Sequence, residues 1–252
     1  MNIIILCEGF DDVLILGYFI HKTSNDPKWF YNDKAIISEH FKIPYKKGEK
    51  LEIYTRGNDK LVIWCVGGKD CFDFAIKTIY KFNTNFPMER FEEIIFFSDR
   101  DRDEIPTSIS KIENIFKDNG WSVAVSNNKQ NLFKYEIESE EYKVNISPII
   151  IPFDTEGALE TVLMAGIAET NDEDNFVVKS AKQYIKDIVE SGILISYLKH
   201  DRLKLKAEFS AVISVTNPDR STCTFNDLLL SHNWEEKPEI KRHLKLIEDI
   251  CK

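Results

Sequence analysis

The sequence predicts an α/β protein, a mainly parallel sheet flanked by helices and followed by a helical C-terminal part. Three observations predict it. Short continuous apolar runs (NIIILC at 2–7, KLVIWCV at 60–66, EIIFFS at 93–98) have the length of strands buried on both faces. Between them lie stretches with apolar residues at helical spacing, so strand and helix alternate over the first 120 residues, the pattern of βαβ units. From Glu156 onward the pattern is mostly helical. The division that follows is a core over 1–150, carrying an insertion at 23–50, and a C-terminal extension over 151–252.

Each element has its own reason. The strand at 2–7 closes in Glu8-Gly9, and Val13, Leu14, Leu16, Tyr18, Phe19 and Ile20 then give a helix apolar enough to pack on a sheet. Asp11 and Asp12 fall in its first turn, where the helix dipole favours negative charge. Residues 23–50 are polar, with Pro27, Pro44 and Gly48, and read as an irregular insertion. Strands at 51–55 and 60–66 are joined by RGND, a tight turn. GGKD (67–70) leads into a helix whose apolar face is Phe72, Ala75, Ile76, Ile79 and Tyr80. The strand at 93–98 is followed by a helix over 107–117, ending at Asp118-Asn119-Gly120. Strands are expected at 121–127, 131–137 and 143–151, at an antiparallel edge. Helices are expected at 156–168, 176–190, 192–199, 202–214, 225–231 and 237–251, with 169–175 (ETNDEDN) a solvated loop.

Composition narrows the function. With 43% hydrophobic and 12% aromatic residues the chain folds around a real core. A formal charge of −9 argues against non-specific coating of nucleic acid, but leaves room for local basic segments such as 41–60 and 199–206. The N-terminal apolar run is cut by Glu8 and has no basic flank, so it reads as a strand and not as a signal peptide or membrane span. Five cysteines without CxxC pairing suggest reduced thiols in the cytoplasm, and neither they nor the five scattered histidines suggest a zinc site.

Chemistry concentrates where strands end. FFSDRDRD places Asp99, Asp101 and Asp103 at alternate positions, an arrangement that repels itself unless the acids fan out into water or a cation sits among them. CEGFDD follows the first strand and GGKD the second pair. In open α/β sheets ligands bind beyond the carboxyl ends of the strands, so parallel pairing brings these three loops to one edge. Hard oxygen donors with little histidine or cysteine select Mg²⁺ or Mn²⁺. Asp103 also reads as an N-cap or N-terminal charge for the helix at 107–117.

An acidic Glu-Gly-x-x-Asp after the first strand, a Gly-Gly-Lys turn and a strand closing in Asp-x-Asp together resemble the Toprim domain, shared by topoisomerases, bacterial primases, small RNA maturases and the overcoming-lysogenization-defect (OLD) nucleases. The nearest flavour is the OLD-like branch and stand-alone Toprim proteins, including effectors of ATPase-coupled antiphage systems. Their Gly-x-Leu-Glu segment resembles GALETVL (157–163), and their Lys-rich helix resembles RLKLKAEFSAVIS (202–214). The likeness runs over residues 1–120 and, more loosely, 150–215.

The resemblance implies that Glu8 is a metal ligand and general acid/base, with Asp12 its partner and Asp11 the rival. It implies that Asp99 and Asp101 are metal ligands, and that Glu160, or else Glu156, extends a second metal site. Lys206, with Lys204 as rival, takes the place of the lysine near the scissile phosphate. Lys69, Lys204 and Lys206 are the candidate contacts to nucleic acid. Two Mg²⁺ or Mn²⁺ ions would then clamp an in-line phosphoryl displacement. The expected function is a cytoplasmic, metal-dependent nuclease cleaving DNA or RNA, an antiphage effector working with an ATPase partner or as a homodimer, with no membrane role. Two other readings stand beside it: a non-catalytic Toprim partner module of a larger ATPase assembly, and a primase-like nucleotidyl transferase. No tyrosine is placed as a topoisomerase nucleophile, and no zinc motif or separate primase lobe is present.

Overall fold

The computed structural model describes residues 1–41, 50–193, 196–218, 225–230 and 232–252. Much of the basic segment at 41–60, part of the helix expected at 192–199 and the last residue of the one expected at 225–231 lie outside these. The chain divides into two units, the first comprising Met1–Ile150 and Leu246–Lys252, the second Ile151–Lys245.

The first unit is built on a seven-stranded sheet. In chain order its elements are β1 (Asn2–Cys7), α1 (Phe10–Thr23), β2 (Phe30–Tyr31), β3 (Lys50–Arg56), β4 (Asp59–Cys65), α2 (Phe72–Asn85), β5 (Glu93–Asp99), α3 (Ile105–Asp118), β6 (Asn131–Ile137) and β7 (Glu140–Ile151, its last residue in the second unit). The order across the sheet is β2-β3-β4-β1-β5-β7-β6. Its centre is parallel: β1 pairs with β4 on one side and β5 on the other, Cys7 lying opposite Cys65 and Phe97. The pairs β2·β3, β3·β4 and β6·β7 are antiparallel.

Continuous apolar runs become central strands because both faces are covered. Ile4, Leu6, Val62, Trp64, Ile94 and Phe96 point to the face packed by α2 and α3, through Phe72, Ile76, Ile79, Ile112 and Phe116. Their neighbours Ile3, Ile5, Leu61, Ile63 and Ile95 are equally buried, as strand alternation requires of a sheet covered on both sides. Gly17 of α1 lets Tyr54 approach, since a Cβ there would meet the Tyr54 oxygen at 2.0 Å.

Four segments depart from the sequence expectation. Residues 121–126 form no strand. Trp121 turns inward to stack on Phe116, with ring centroids 5.7 Å apart, and the backbone pairs with side chains: Val125 N–H donates to Glu113 and Ser126 N–H to Asn131. The insertion at 23–50 is also more than an irregular polar loop. It holds β2 and the fully buried Trp29, whose indole N–H donates to the Cys251 carbonyl at 2.7 Å. Residues 172–175, expected in a solvated loop, are the first turn of a helix.

That helix belongs to the second unit, which contains α4 (Leu159–Ala168), α5 (Asp172–Glu190), α6 (Asp201–Thr216), α7 (Phe225–Leu229) and most of α8 (Pro238–Cys251). Asn171 caps α5 by accepting from the Asp174 N–H at 2.8 Å, and Asp172, Glu173 and Asp174 sit where the dipole favours them. The described part of 192–199 is not helical. Gly192, at φ 70°, takes the left-handed conformation that commonly ends a helix, and closes α5. Among the described residues no helix is long and apolar enough to cross a membrane.

The β6–β7 hairpin turns on Glu138 and Ser139, both in the left-handed region at φ 50° and 71°. Two-residue turns of this kind favour Asn-Gly. The double substitution Glu138→Asn, Ser139→Gly is expected to stabilise the protein by about 0.5–1 kcal/mol, read as a rise in the urea midpoint at unchanged slope.

Candidate functional site

Parallel pairing at the sheet centre puts three loops at one edge. Glu8 leaves β1, Lys69 follows β4 through Gly67-Gly68, and Asp99 ends β5 just before Asp101. Because β4 and β5 flank β1, the loops leave on both sides of Glu8, the arrangement in which open α/β sheets form ligand crevices.

Glu8 is well enclosed, its side chain 17% exposed against 56% for Asp101. Its Oε1 accepts from the Ser98 hydroxyl at 2.6 Å and from the Asp99 N–H at 3.0 Å, which fixes the carboxylate against the end of β5. Burial pushes its pKa up; Lys69, Ser98 and the Asp99 N–H pull the other way, and the net shift is upward. A carboxyl held this way is suited to carry a proton in acid–base chemistry.

A cation does sit among the acids, and it is Lys69. Its Nζ donates to the Asp99 carbonyl at 2.7 Å and to Asp101 Oδ2 at 2.5 Å, and lies 3.8 Å from Glu8 Oε1. Burial works to lower the ammonium's pKa, but Glu8, Asp101 and Asp99 outweigh it, so Lys69 stays charged. Asp101 reaches this position from a left-handed backbone, φ 55°, which for a residue other than glycine stores strain at the mouth of the site.

The remaining acids have local duties. Asp12 is buried in the first turn of α1, where Oδ2 accepts from the Gly9 N–H at 2.8 Å and so holds the turn that presents Glu8. Asp11 shares that turn. Asp103 pairs with Lys111 at 2.5 Å, and the N-cap of α3 is Glu104.

The second unit has a separate pair. Glu160, in the first turn of α4, lies 2.9 Å from Lys206 Nζ on α6. Lys204 pairs with Asp201 at 3.2 Å, and Glu156 is exposed. The segments GALETVL and RLKLK thus place their acid and one of their lysines in contact.

Two features escaped sequence reasoning. Ser98 stood in the quoted motif without a role, though a hydroxyl one residue before a strand-end acid is a natural partner for a neighbouring loop. Lys69 read as a contact to nucleic acid, whereas its ammonium points into the acids of its own chain.

The oxygens that face Lys69 are two carboxylates and a backbone carbonyl, hard donors by type. They belong to the Glu8 and Asp101 side chains and to the Asp99 main chain, and the position among them holds the Lys69 ammonium. Among the described residues no three His, Cys, Asp or Glu side chains are drawn together as a ready ligand cage. No family model matches the chain, and no curated protein does. A solved structure of a hypothetical protein from Pyrococcus horikoshii OT3 is similar in fold, with a TM-score of 0.53 and 16% identity, over 98% of this chain and 99% of that one. At that identity the likeness shows a shared α/β architecture and nothing of chemistry.

Proposed function

We propose that this protein is a Toprim-type nuclease that hydrolyses DNA or RNA phosphodiesters with Mg²⁺ or Mn²⁺, acting in antiphage defence beside an ATPase partner. One observation carries the reading: Glu8, Asp99 and Asp101, up to 93 positions apart in sequence, meet around a single cationic centre at the carboxyl edge of the sheet. The motif order that resembles the Toprim domain supports it as well.

In this reading Glu8, Asp99 and Asp101 would hold the metal, which would supply positive charge against that of the phosphodiester. Glu8, with its raised pKa and the Ser98 hydroxyl fixing its orientation, moves the proton. Asp12 keeps the Glu8 loop in place through its bond to Gly9. Lys206, and Glu160 beside it, are the second unit's candidates for a phosphate and a further ion.

The test is cleavage of a panel of single- and double-stranded DNA and RNA by the purified protein in Mg²⁺ or Mn²⁺. Glu8→Ala and Asp99→Ala are expected to lose at least about a hundredfold in rate while keeping the parent's circular dichroism spectrum. Variants that cut as fast as the parent would remove both residues from the chemistry.

The Lys69 ion pairs favour one second reading. A site whose acids are already neutralised from within suits a non-catalytic module of an ATPase assembly. Robust metal-dependent cleavage by the isolated protein would exclude it.

A further inference from the structure

We propose that β6 is a self-complementary edge on which a second copy of this chain pairs, antiparallel and centred on Tyr135, so that Lys134 of each copy faces Glu136 of the other. Among the described residues β6 ends the seven-stranded sheet, with β7 on one side and no strand on the other. The two-residue turn Glu138-Ser139 joins it to β7, and the pairing runs without a bulge from Ile137 opposite Glu140 to Asn131 opposite Ile146. Such a turn makes Ile137 and Glu140 exchange both backbone bonds, and exchanging pairs then alternate along the hairpin. Leu132, Lys134 and Glu136 therefore turn their N–H and C=O groups away from β7, toward the open edge. Among the described residues no other bond takes up those groups.

The charges select the partner. Across the hairpin Lys134 stands directly opposite Lys143, and Glu136 directly opposite Glu141, all four exposed. Like charges set opposite one another destabilise a strand pair. Lys134 and Lys143 lie 3.1 and 3.7 Å from Glu141, whereas Glu136 makes no ion pair among the described residues. The hairpin thus carries a basic rung beside an acidic one, an arrangement that serves a neighbour better than itself.

Only residues whose backbone groups face outward exchange bonds across a new edge, so a two-fold axis must pass through a residue of β6. Centring on Lys134 or Glu136 sets that residue against its own copy, like against like. Centring on Phe133 carries Glu136 past the end of the strand. Centring on Tyr135 sets Lys134 against Glu136 of the second copy, twice. Each rung then reads Lys143, Lys134, Glu136, Glu141 across four strands, a basic half against an acidic half. On the other face the half-buried Phe133 meets Ile137 of the second copy and Tyr135 meets its own counterpart, extending the row that packs on Trp121. A lysine on an edge strand commonly wards off stray pairing. With Glu136 two residues on, it rejects other strands and admits its own.

Sedimentation velocity of the full chain over a concentration series tests this for the parent, Lys134→Glu, Glu136→Lys and the double exchange of both. The parent is expected to dimerise, and less tightly as salt is raised. Each single reversal puts like charges on both rungs of the interface and is expected to raise the dimer dissociation constant about tenfold or more. The double exchange restores opposite signs and is expected to return it to within about threefold of the parent. Folding is spared, since both positions are exposed and each reversal relieves a like-charge pair inside the hairpin. Amide hydrogen exchange gives a direct readout: the Lys134 and Glu136 amides should slow as parent concentration rises. A parent that stays monomeric up to about 0.1 mM overturns the proposal. So does a dimer that the single reversals leave intact, which would pair through another surface, and so does a double exchange no tighter than the single reversals.

Discussion

Glu8→Gln is expected to raise the Tm at neutral pH and to abolish cleavage in the same molecule. The sign follows from the environment of the carboxyl. Burial raises its pKa, the opposing contacts from Lys69, Ser98 and the Asp99 N–H do not fully offset it, and so the folded protein holds a proton on Glu8 more firmly than the unfolded chain does. The stability linked to this group is therefore fully present below the unfolded carboxyl's range and is lost as pH rises through the folded value. At pH 7 the ionised carboxylate opposes folding. Glutamine keeps an oxygen that accepts from the Ser98 hydroxyl and the Asp99 N–H, without the charge. The variant's advantage should be largest at about pH 7–8 and should disappear near about pH 4, where the parent's Glu8 is also neutral. Thermal melts across that range check it. A variant less stable than the parent at neutral pH would mean that the attraction of Lys69 outweighs desolvation at Glu8. Loss of function with gain of stability is the usual mark of a residue retained for its chemistry.

Trp29→Ala is expected to destabilise the first unit by about 3–5 kcal/mol, the range for removing a fully buried large side chain. Trp29 is completely enclosed; the Arg56 guanidinium lies 4.4 Å from its ring centroid, and its indole N–H reaches Cys251. Trp29→Phe separates packing from hydrogen bonding. The Cys251 carbonyl keeps a second donor, Arg56 Nη1 at 2.7 Å, so the phenylalanine variant should lose only about 1–2 kcal/mol. Urea denaturation of both variants measures the difference. A loss below about 1 kcal/mol in the alanine variant would show that residues 23–41 contribute little to the first unit.

How much of this was legible in the sequence depended on whether local pattern or distant partners decided each residue. The central strands were readable because both faces of β1, β4 and β5 are buried, which leaves an uninterrupted apolar run as the trace. The helices α1, α2 and α3 were readable from spacing, and α3, expected over 107–117, matches within two residues at each end, whereas α2 runs on past Tyr80 to Asn85. Trp121 misled, since WSVAVSN has strand composition, but the tryptophan satisfies an aromatic cluster and the following amides find side-chain acceptors. Asn171 misled in the other direction: a run of acids resembled solvated loop, where one capping residue converts it into a helix start. Trp29 was hidden because its partners, Arg56 and Cys251, are far away along the chain.

For the candidate site the positions of Glu8, Lys69, Asp99 and Asp101 at strand ends followed from strand order alone. Their contacts did not. Which side chain would neutralise the acids depends on how a glycine turn aims one lysine, and GGKD reads the same whether that lysine faces inward or outward.

The bond from Trp29 to the Cys251 carbonyl spans 222 positions. Ribosomes add about 5–20 residues each second, so for roughly 10–45 s of synthesis the indole has emerged while its acceptor does not yet exist. Native closure of the first unit therefore waits until Cys251 has been made. Until then the indole has no native acceptor.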